Sequence, residues 1–521
     1  MPQQLKRLIL IATVLRMVAA AVLEFGNDEV YYFLYALDLN PNYFDHPPGV
    51  AWLIRLSTLN LLLTDEFFIR LGAIACSAVG TVLVYRLGTA LKNERTGWYA
   101  AILYTANLFT SLIAGTFIIP DSPQLVAWLA ALLVMHQIVT APADQKISYS
   151  LWMKFGVLVG LAVLCKVHGI FLWASLGLYV LLYARHRLKE PGLYLSAIIS
   201  LAVLSPILIW NFQNDFVTYR FHSGRVGVDE SWIHLDYFLQ AVGGQLVYGN
   251  PVNSVLIILA AWQIGSMKFL SSDSLKFVLI NGLPLVAVVT VMSLFSAMLP
   301  HWSGPAVMVL GFLAAAYLDE KSTQAGTDQP PRILTITLRV MAGLLLLTIL
   351  AVKFYPGTIG SHVKNRFGED DITLDLNGWG NFSEEFRSWV HAEEKAGRIP
   401  ANLPLVTHKW FPGAHVDYYV AMPMNRPMIG VGLLRDLHQY AWLNGIRPEL
   451  KPGESALCIV PSNYPVILDE CYYRYFTSID QLKVFYSYRS GRMARYFTVY
   501  QLNGYKANDE VHQGVLGRRS K

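Results

Sequence analysis

The acidic pair Asp28-Glu29 follows an apolar run and precedes the aromatics Tyr31, Tyr32, Phe33 and Tyr35. A carboxylate held beside apolar walls at a membrane surface can act as general base on a hydroxyl. The plain alternative is an acidic first turn that a helix N-terminus favours anyway. In Tyr43-Phe44-Asp45-His46-Pro47-Pro48-Gly49 the prolines restrict the backbone. Asp45 and His46 then point in a set direction, suited to orienting substrate hydroxyls or binding a metal, unless the prolines only start a helix. Lys166, with His168 close behind, interrupts a long apolar stretch. A lysine there is costly unless it pairs or reaches water, and a cation so placed can neutralise a phosphate leaving group. Snorkelling to the headgroups is its bland reading. Arg220 and Arg225 offer planar, bidentate phosphate contacts or else a solvated loop. Asp121, Asn211 and Pro300-His301-Trp302 complete the polar positions near the ends of apolar runs. Glu29, His46 and His301 can in principle hold a divalent ion, but no spacing matches a structural zinc site, so the metal stays open.

These residues need membrane-spanning elements to position them. Hydrophobic residues make up 54% of the 521-residue chain and charged ones 15%, with a mean hydropathy of +0.38. Soluble proteins carry about 25% charged residues, and a single core stops growing near about 250–300 residues. Repeated apolar runs account for the difference. The net charge of +5 is spread out, with no Lys/Arg cluster suited to nucleic acid. Four cysteines are too few for a disulfide scaffold. Cys76 and Cys165 read as small buried hydrophobes, whereas Cys458 and Cys471 are free to pair or not in an oxidising compartment.

A span needs about 20 mostly apolar residues, which predicts about eleven helices. They lie near 8–23, 67–91, 96–117, 122–141, 152–165, 168–184, 192–210, 252–270, 276–298, 303–318 and 333–354. The first is an uncleaved anchor, with a cleavable signal peptide as the alternative. Lys166, His168 and Gly169 divide 152–184 into two short helices. The stretch 50–63 is too short to span and contains Arg55, so it reads as an interfacial helix. With the N-terminus cytoplasmic, the inner loops collect Lys6 and Arg7, Arg86 to Arg95, Lys146, Arg185 to Lys189, Lys268, Lys321 and Arg332, the positive-inside pattern. The odd count places the tail in a periplasm and gathers the polar clusters on the outer face. Domains follow as 1–355, with an outer loop and interfacial helices at about 27–66, and 356–521. In the tail, 384–395 reads as a surface helix, and 403–407, 456–460 and 496–502 read as strands. The fold class is therefore mainly α, a polytopic membrane protein with a C-terminal soluble α/β domain.

The motifs in order resemble the GT-C glycosyltransferases. They are Asp28-Glu29 with its aromatics, Tyr43-Phe44-Asp45-His46-Pro47-Pro48, Pro120-Asp121-Ser122-Pro123, Leu164-Cys165-Lys166, Ser205 to Asn211, and Pro300-His301-Trp302. The chain is most similar to the bacterial relatives of the protein O-mannosyltransferases and of the lipid A aminoarabinose transferase, the glycosyltransferase family 39-like group. In the tail, Asn377-Gly378-Trp379 and Gln439-Tyr440-Ala441-Trp442 also resemble this group.

The resemblance implies an inverting transferase in a bacterial inner membrane, with a polyprenyl-phosphate sugar as donor and a lipid, glycan or protein hydroxyl as acceptor. It implies catalytic roles for Asp28, Glu29 and Asp121, and donor-phosphate binding by Lys166, with Arg220 and Arg225 as further candidates. Asp45, His46, His168, Asn211, His301 and Trp302 are expected to position substrate. No cofactor is required and a divalent metal stays open. No Gly-rich phosphate loop is present, which fits a lipid-linked donor. Two other classes compete. A transporter or flippase of a lipid-linked sugar would suit Pro-broken helices and buried charge, although no inverted repeat is evident. An inactive envelope scaffold would tolerate neutral substitution at all the clustered carboxylates.

Overall fold

The computed structural model describes residues 1–226 and 233–506. The chain divides into two compact units, residues 1–21 with 39–345, and residues 22–38 with 346–521. The second unit thus takes in a segment near the chain's start, whereas the sequence predicts one boundary at 355/356.

The first unit is helical. Among the described residues six helices are long and apolar enough to cross a membrane, namely Glu66–Leu91, Asp121–Thr140, Pro191–Gln213, Ser272–Met292, Pro300–Gln324 and Arg332–Phe354. The total reaches eight if each of two bent helix pairs counts as one span. The protein is a multi-pass membrane protein, and the expected eleven spans are not reached on length and composition alone. Helices Tyr149–Cys165 and Val167–Tyr183 are apolar but short. As expected, the chain breaks between them at Lys166, whose extended backbone (φ −156°, ψ 138°) ends the first helix. The 50–63 stretch forms only a short helix, Gly49–Ser57, with Leu56 and Leu62 exposed. Arg55 donates to Asn60 Oδ1 at 2.6 Å.

Lipid gives helices little hydrophobic reason to associate, so close packing of small residues does that work. Gly156 and Gly160, one turn apart, let helix Tyr149–Cys165 lie against helix Pro191–Gln213. A Cβ on Gly156 would come within 2.4 Å of the Ser196 carbonyl oxygen, and one on Gly160 within 2.7 Å of Val203. Ser200 Oγ donates to the Gly156 carbonyl at 2.7 Å across the same seam. At one end of the bundle, Asp319 is buried among cations. It takes Lys92 Nζ at 2.8 Å, Asn93 Nδ2 at 3.0 Å, and the Arg95 guanidinium. This ties the turn after helix Glu66–Leu91 to helix Gly304–Gln324.

The second unit carries a five-stranded sheet: β1 (Leu405–Thr407), β2 (Met428–Gly430), β3 (Ala456–Pro461), β4 (Phe476–Arg489) and β5 (Arg492–Tyr505). Its order is β2-β1-β3-β5-β4. The β1–β2 and β1–β3 pairs are parallel, and the β3–β5 and β4–β5 pairs are antiparallel. Helix Trp379–Lys395 contributes Phe382, Phe386 and a fully buried Trp379, which meet Phe485 and Phe497 of the sheet. Arg489 ties down the loop that enters this unit. It donates to the carbonyls of Gly357 and Val352, to Thr373 Oγ1, and to Asp371. All four cysteines are free. Cys458 donates to the Tyr472 hydroxyl instead of pairing with Cys471.

Candidate functional site

In the first unit the sequence builds a cation into the bundle. Pro120 caps helix Asp121–Thr140, leaving the Asp121 carboxylate in the first turn, where the helix dipole favours it. Lys166 reaches it from the helix break. Lys166 Nζ donates to both Asp121 oxygens, at 2.9 and 2.8 Å. The two residues are 3% and 2% exposed, which makes this a desolvated pair in which each charge depends on the other. Gln124 Nε2 donates to the Lys166 carbonyl at 2.8 Å, which fixes the break. Gly169 must be small, because a Cβ there would meet the Ala162 carbonyl carbon at 2.6 Å.

Other expected residues gather around the pair. His168 and His301 are within electrostatic reach of Asp121. The His168 ring lies 5.8 Å from that of Trp302, and its Nδ1 is buried without a hydrogen bond among the described residues. The prolines at 47 and 48 bring Gly49 directly onto the end of the Lys166 helix. A Cβ on Gly49 would fall 2.7 Å from Cys165 Sγ. The loop before them docks on helix Val217–Val226. Thr218 Oγ1 donates to the Tyr43 carbonyl at 3.0 Å, Asn42 Nδ2 donates to Thr218 Oγ1 at 2.8 Å, and His222 Nε2 bonds the Asp45 carbonyl at 2.6 Å. The His46 and His222 rings are 5.8 Å apart.

The remaining expected residues stand as follows. Arg220 is exposed on helix Val217–Val226 and joins no ion pair among the described residues, because Thr218 and His222 occupy the packed face. The Arg225 side chain lies outside the described residues. Asn211 is buried, and its Nδ2 donates to the Ile207 carbonyl of its own helix at 3.1 Å. No group of three or more His, Cys, Asp or Glu side chains suited to a metal occurs among the described residues, so Glu29, His46 and His301 form no such set there.

In the second unit Asp28 and Glu29 part company. Both lie in the first turn of helix Asn27–Leu37, but Asp28 is exposed and Glu29 is 2% exposed. Glu29 Oε2 accepts the Gly26 N–H at 3.1 Å, closing a capping arrangement. Glu29 therefore serves its own helix start, and Asp28 is the more exposed carboxylate of the pair. The surrounding polypeptide is the tail. Glu24 accepts the N–H groups of Trp379 and Gly380 at 2.8 and 3.1 Å, capping helix Trp379–Lys395. Phe25 N–H donates to the Tyr419 hydroxyl at 2.9 Å, and His415 Nε2 donates to the Phe25 and Asp375 carbonyls at 2.9 and 3.2 Å. Burial keeps His415 neutral, its pKa pushed down to about 3. Asn27 Nδ2 donates to Asp375 Oδ2 at 3.0 Å and to the Tyr464 hydroxyl at 2.7 Å, while that hydroxyl donates to Asp375 Oδ1 at 2.6 Å. Burial raises the Asp375 pKa to about 6 against the hydrogen bond from Tyr464.

Glu24, Asp375, His415 and Tyr464 were not singled out in the sequence. The usable signal was indirect. In the tail motifs, Gly378 adopts φ +87° to start the helix that Glu24 caps, and Gln439 N–H donates to the Tyr31 hydroxyl at 3.2 Å.

Residues 45–210 match the family model for dolichyl-phosphate-mannose-protein mannosyltransferase. Lipid A galacturonosyltransferase RgtD of Rhizobium johnstonii is 25% identical over 296 residues, 57% of this chain and 60% of that protein. The undecaprenyl phosphate-alpha-4-amino-4-deoxy-L-arabinose arabinosyl transferase of Yersinia pestis is 27% identical over 150 residues, 29% of this chain and 26% of that protein. The chain therefore spans less than two thirds of the length of these relatives. The crystal structure of ArnT from Cupriavidus metallidurans bound to undecaprenyl phosphate superposes with a TM-score of 0.58 at 14% identity, over 95% of this chain and 97% of that one. The two share a fold.

Proposed function

We propose that this chain, which has the GT-C glycosyltransferase fold, transfers a sugar from a polyprenyl-phosphate carrier to a hydroxyl of a lipid, glycan or protein acceptor. The observation that carries this reading is the buried Lys166, held by both oxygens of Asp121 among His168, His301 and Trp302. A preorganised cation in a water-poor site stabilises the charge that develops on a departing phosphate far better than one in water does. The relatives point to the same chemistry, since they include a lipid A galacturonosyltransferase and an undecaprenyl phosphate-alpha-4-amino-4-deoxy-L-arabinose arabinosyl transferase.

In the mechanism, Asp28 takes the proton of the acceptor hydroxyl as its oxygen attacks the anomeric carbon. The bond from that carbon to the phosphate oxygen breaks on the face opposite the incoming oxygen, so configuration inverts, and Lys166 neutralises the charge of the departing polyprenyl phosphate. Asp121 acts as a positioning residue that holds the Lys166 ammonium in place. His46, His168 and His301 orient the sugar.

The protein sits in a bacterial inner membrane with eleven spans, its N-terminus cytoplasmic and residues 356–521 periplasmic. The gathering of Lys92, Arg95, Asp319 and Glu320 at one bundle end supports this topology, because both segments are cytoplasmic in it.

The test uses the purified full chain in lipid nanodiscs with labelled polyprenyl-phosphate sugars and an envelope extract as acceptor. Asp28→Asn is expected to slow transfer by about 10²–10⁴-fold, the usual range for a general base. Full activity in that variant removes Asp28 from the role, and absence of labelled product from the unaltered protein rejects the transferase reading.

A further inference from the structure

The second unit contains a cavity of about 400 Å³ that the proposed transfer chemistry does not use. Asp370, His408, Lys409, Phe411, Asn463 and Tyr464 are among its lining residues. Its size falls at the lower end of small-molecule sites, which run from about 300 to 1,000 Å³. Phe411 and Tyr464 meet edge to face, centroids 5.2 Å apart, and give the cavity an apolar wall. Asn463 is 4% exposed, and its buried Oδ1 accepts no hydrogen bond among the described residues. Leaving such an acceptor unsatisfied costs about 1–3 kcal/mol, so a ligand donor would remove a standing penalty.

The walls also say which ligand. Glu369, Asp370 and Asp371 all border the cavity, against a single Lys409 whose Nζ lies 4.6 Å over the Phe411 ring. Asp371 is engaged by Arg489, and Glu369 pairs with Arg366. Asp370 is exposed at φ +66°, on a loop that Arg489 and Asp371 hold in place. This balance disfavours a phosphate or carboxylate and favours hydroxyl donors. Carboxylate and amide acceptors in one cavity with aromatic side chains suit a sugar ring, with hydroxyls on its edge and C–H groups on its face. The cavity is also one hydrogen bond from the helix that bears the proposed base. Tyr464 lines it and accepts from Asn27, the residue before Asp28.

We propose that this cavity is a subsite for a sugar unit of the acceptor, recognised through its hydroxyls by Asn463 and Asp370 and through its face by Phe411. The proposal rests on the transferase reading for the word acceptor, whereas sugar binding itself does not. The test has two arms on the full chain in nanodiscs. Saturation-transfer NMR with methyl glycosides of mannose, galactose and glucosamine reads binding directly. Transfer kinetics with envelope extract read KM and kcat separately. Asn463→Ala and Asp370→Asn are each expected to raise acceptor KM by about tenfold, the loss of one to two polar contacts, with kcat within about twofold. Both should also abolish the glycoside signal, and Asp28→Asn should retain it. Asp370 is exposed, so its variant serves where Asn463→Ala fails to fold. No glycoside signal in the unaltered protein overturns the proposal, as do unchanged KM and signal in both variants. A protein that binds glycosides through these residues yet transfers no sugar keeps the subsite and loses the transferase reading.

Discussion

At the scale of single residues, the ionisable groups sort by what each loses when it is changed. Lys166 and Asp121 hold one another out of water, so removing either leaves an unpaired buried charge, at a cost of about 3–5 kcal/mol. Asp121→Asn should therefore lower thermal recovery from detergent, measured by size-exclusion chromatography, whereas the double variant Asp121→Asn with Lys166→Met should regain most of it and still transfer no sugar. A double variant as unstable as the single one would rule out the pairing as the source of the loss. Asp375 gives a pH signature. Its folded pKa is raised to about 6 from 3.8, so the folded state binds the proton more tightly than the unfolded chain does. Stability from this group is complete at low pH and declines as pH rises between about 4 and 6, because the unfolded chain has by then released its proton. Asp375→Asn should flatten the thermal midpoint across that window, and an unchanged slope would count against the burial of its carboxyl. The pair Asp28-Glu29 was legible as an acidic motif. That the first is open and the second caps its helix was not, since both are equally polar and adjacent, and only the turn at Gly26 distinguishes them.

At the scale of elements, the sequence marked the breaks well where a polar residue interrupts an apolar run, as at Lys166. It was weaker where apolar runs meet each other. Gly49 illustrates this. Its place after two prolines reads as a helix start, yet its function in the fold is to let that helix touch Cys165. Gly49→Ala is expected to destabilise by about 1–3 kcal/mol through overpacking and to reduce transfer by shifting Lys166. The check is whether Cys165→Ala, which removes the nearer of the clashing atoms, recovers part of both; no recovery would place the strain elsewhere. In the tail, β4 is not legible in the sequence because its polar and aromatic residues alternate irregularly across a bulge near Gln481. The signal that could have found it is the turn. Ser490 and Gly491 both take positive φ, +47° and +79°, the two-residue arrangement that joins twisted antiparallel strands.

At the scale of the whole molecule, the chain's second compact unit begins near its N-terminus. Residues 22–38 are held by tail groups through Glu24, Phe25, Asn27 and Tyr31. A chain ending at residue 355 should therefore insert but leave this segment without its partners, and limited proteolysis should cut between residues 24 and 38 only in the shortened form. Equal protection in both forms would contradict the assignment. By itself the sequence determined the membrane character of the chain, the polar break at Lys166, the long tail helix with strands β1, β3 and β5, and the residue types suited to sugar transfer. Those properties are local, because the length of an apolar run or the stiffness of a proline pair is set by neighbours along the chain. Only the tertiary structure decided that Asp121 closes on Lys166, that Glu24 caps a helix more than three hundred residues away, and that Asp375 joins Asn27. Such pairings form when distant segments are desolvated together, and the energy that selects them resides in the partner, which no local pattern contains.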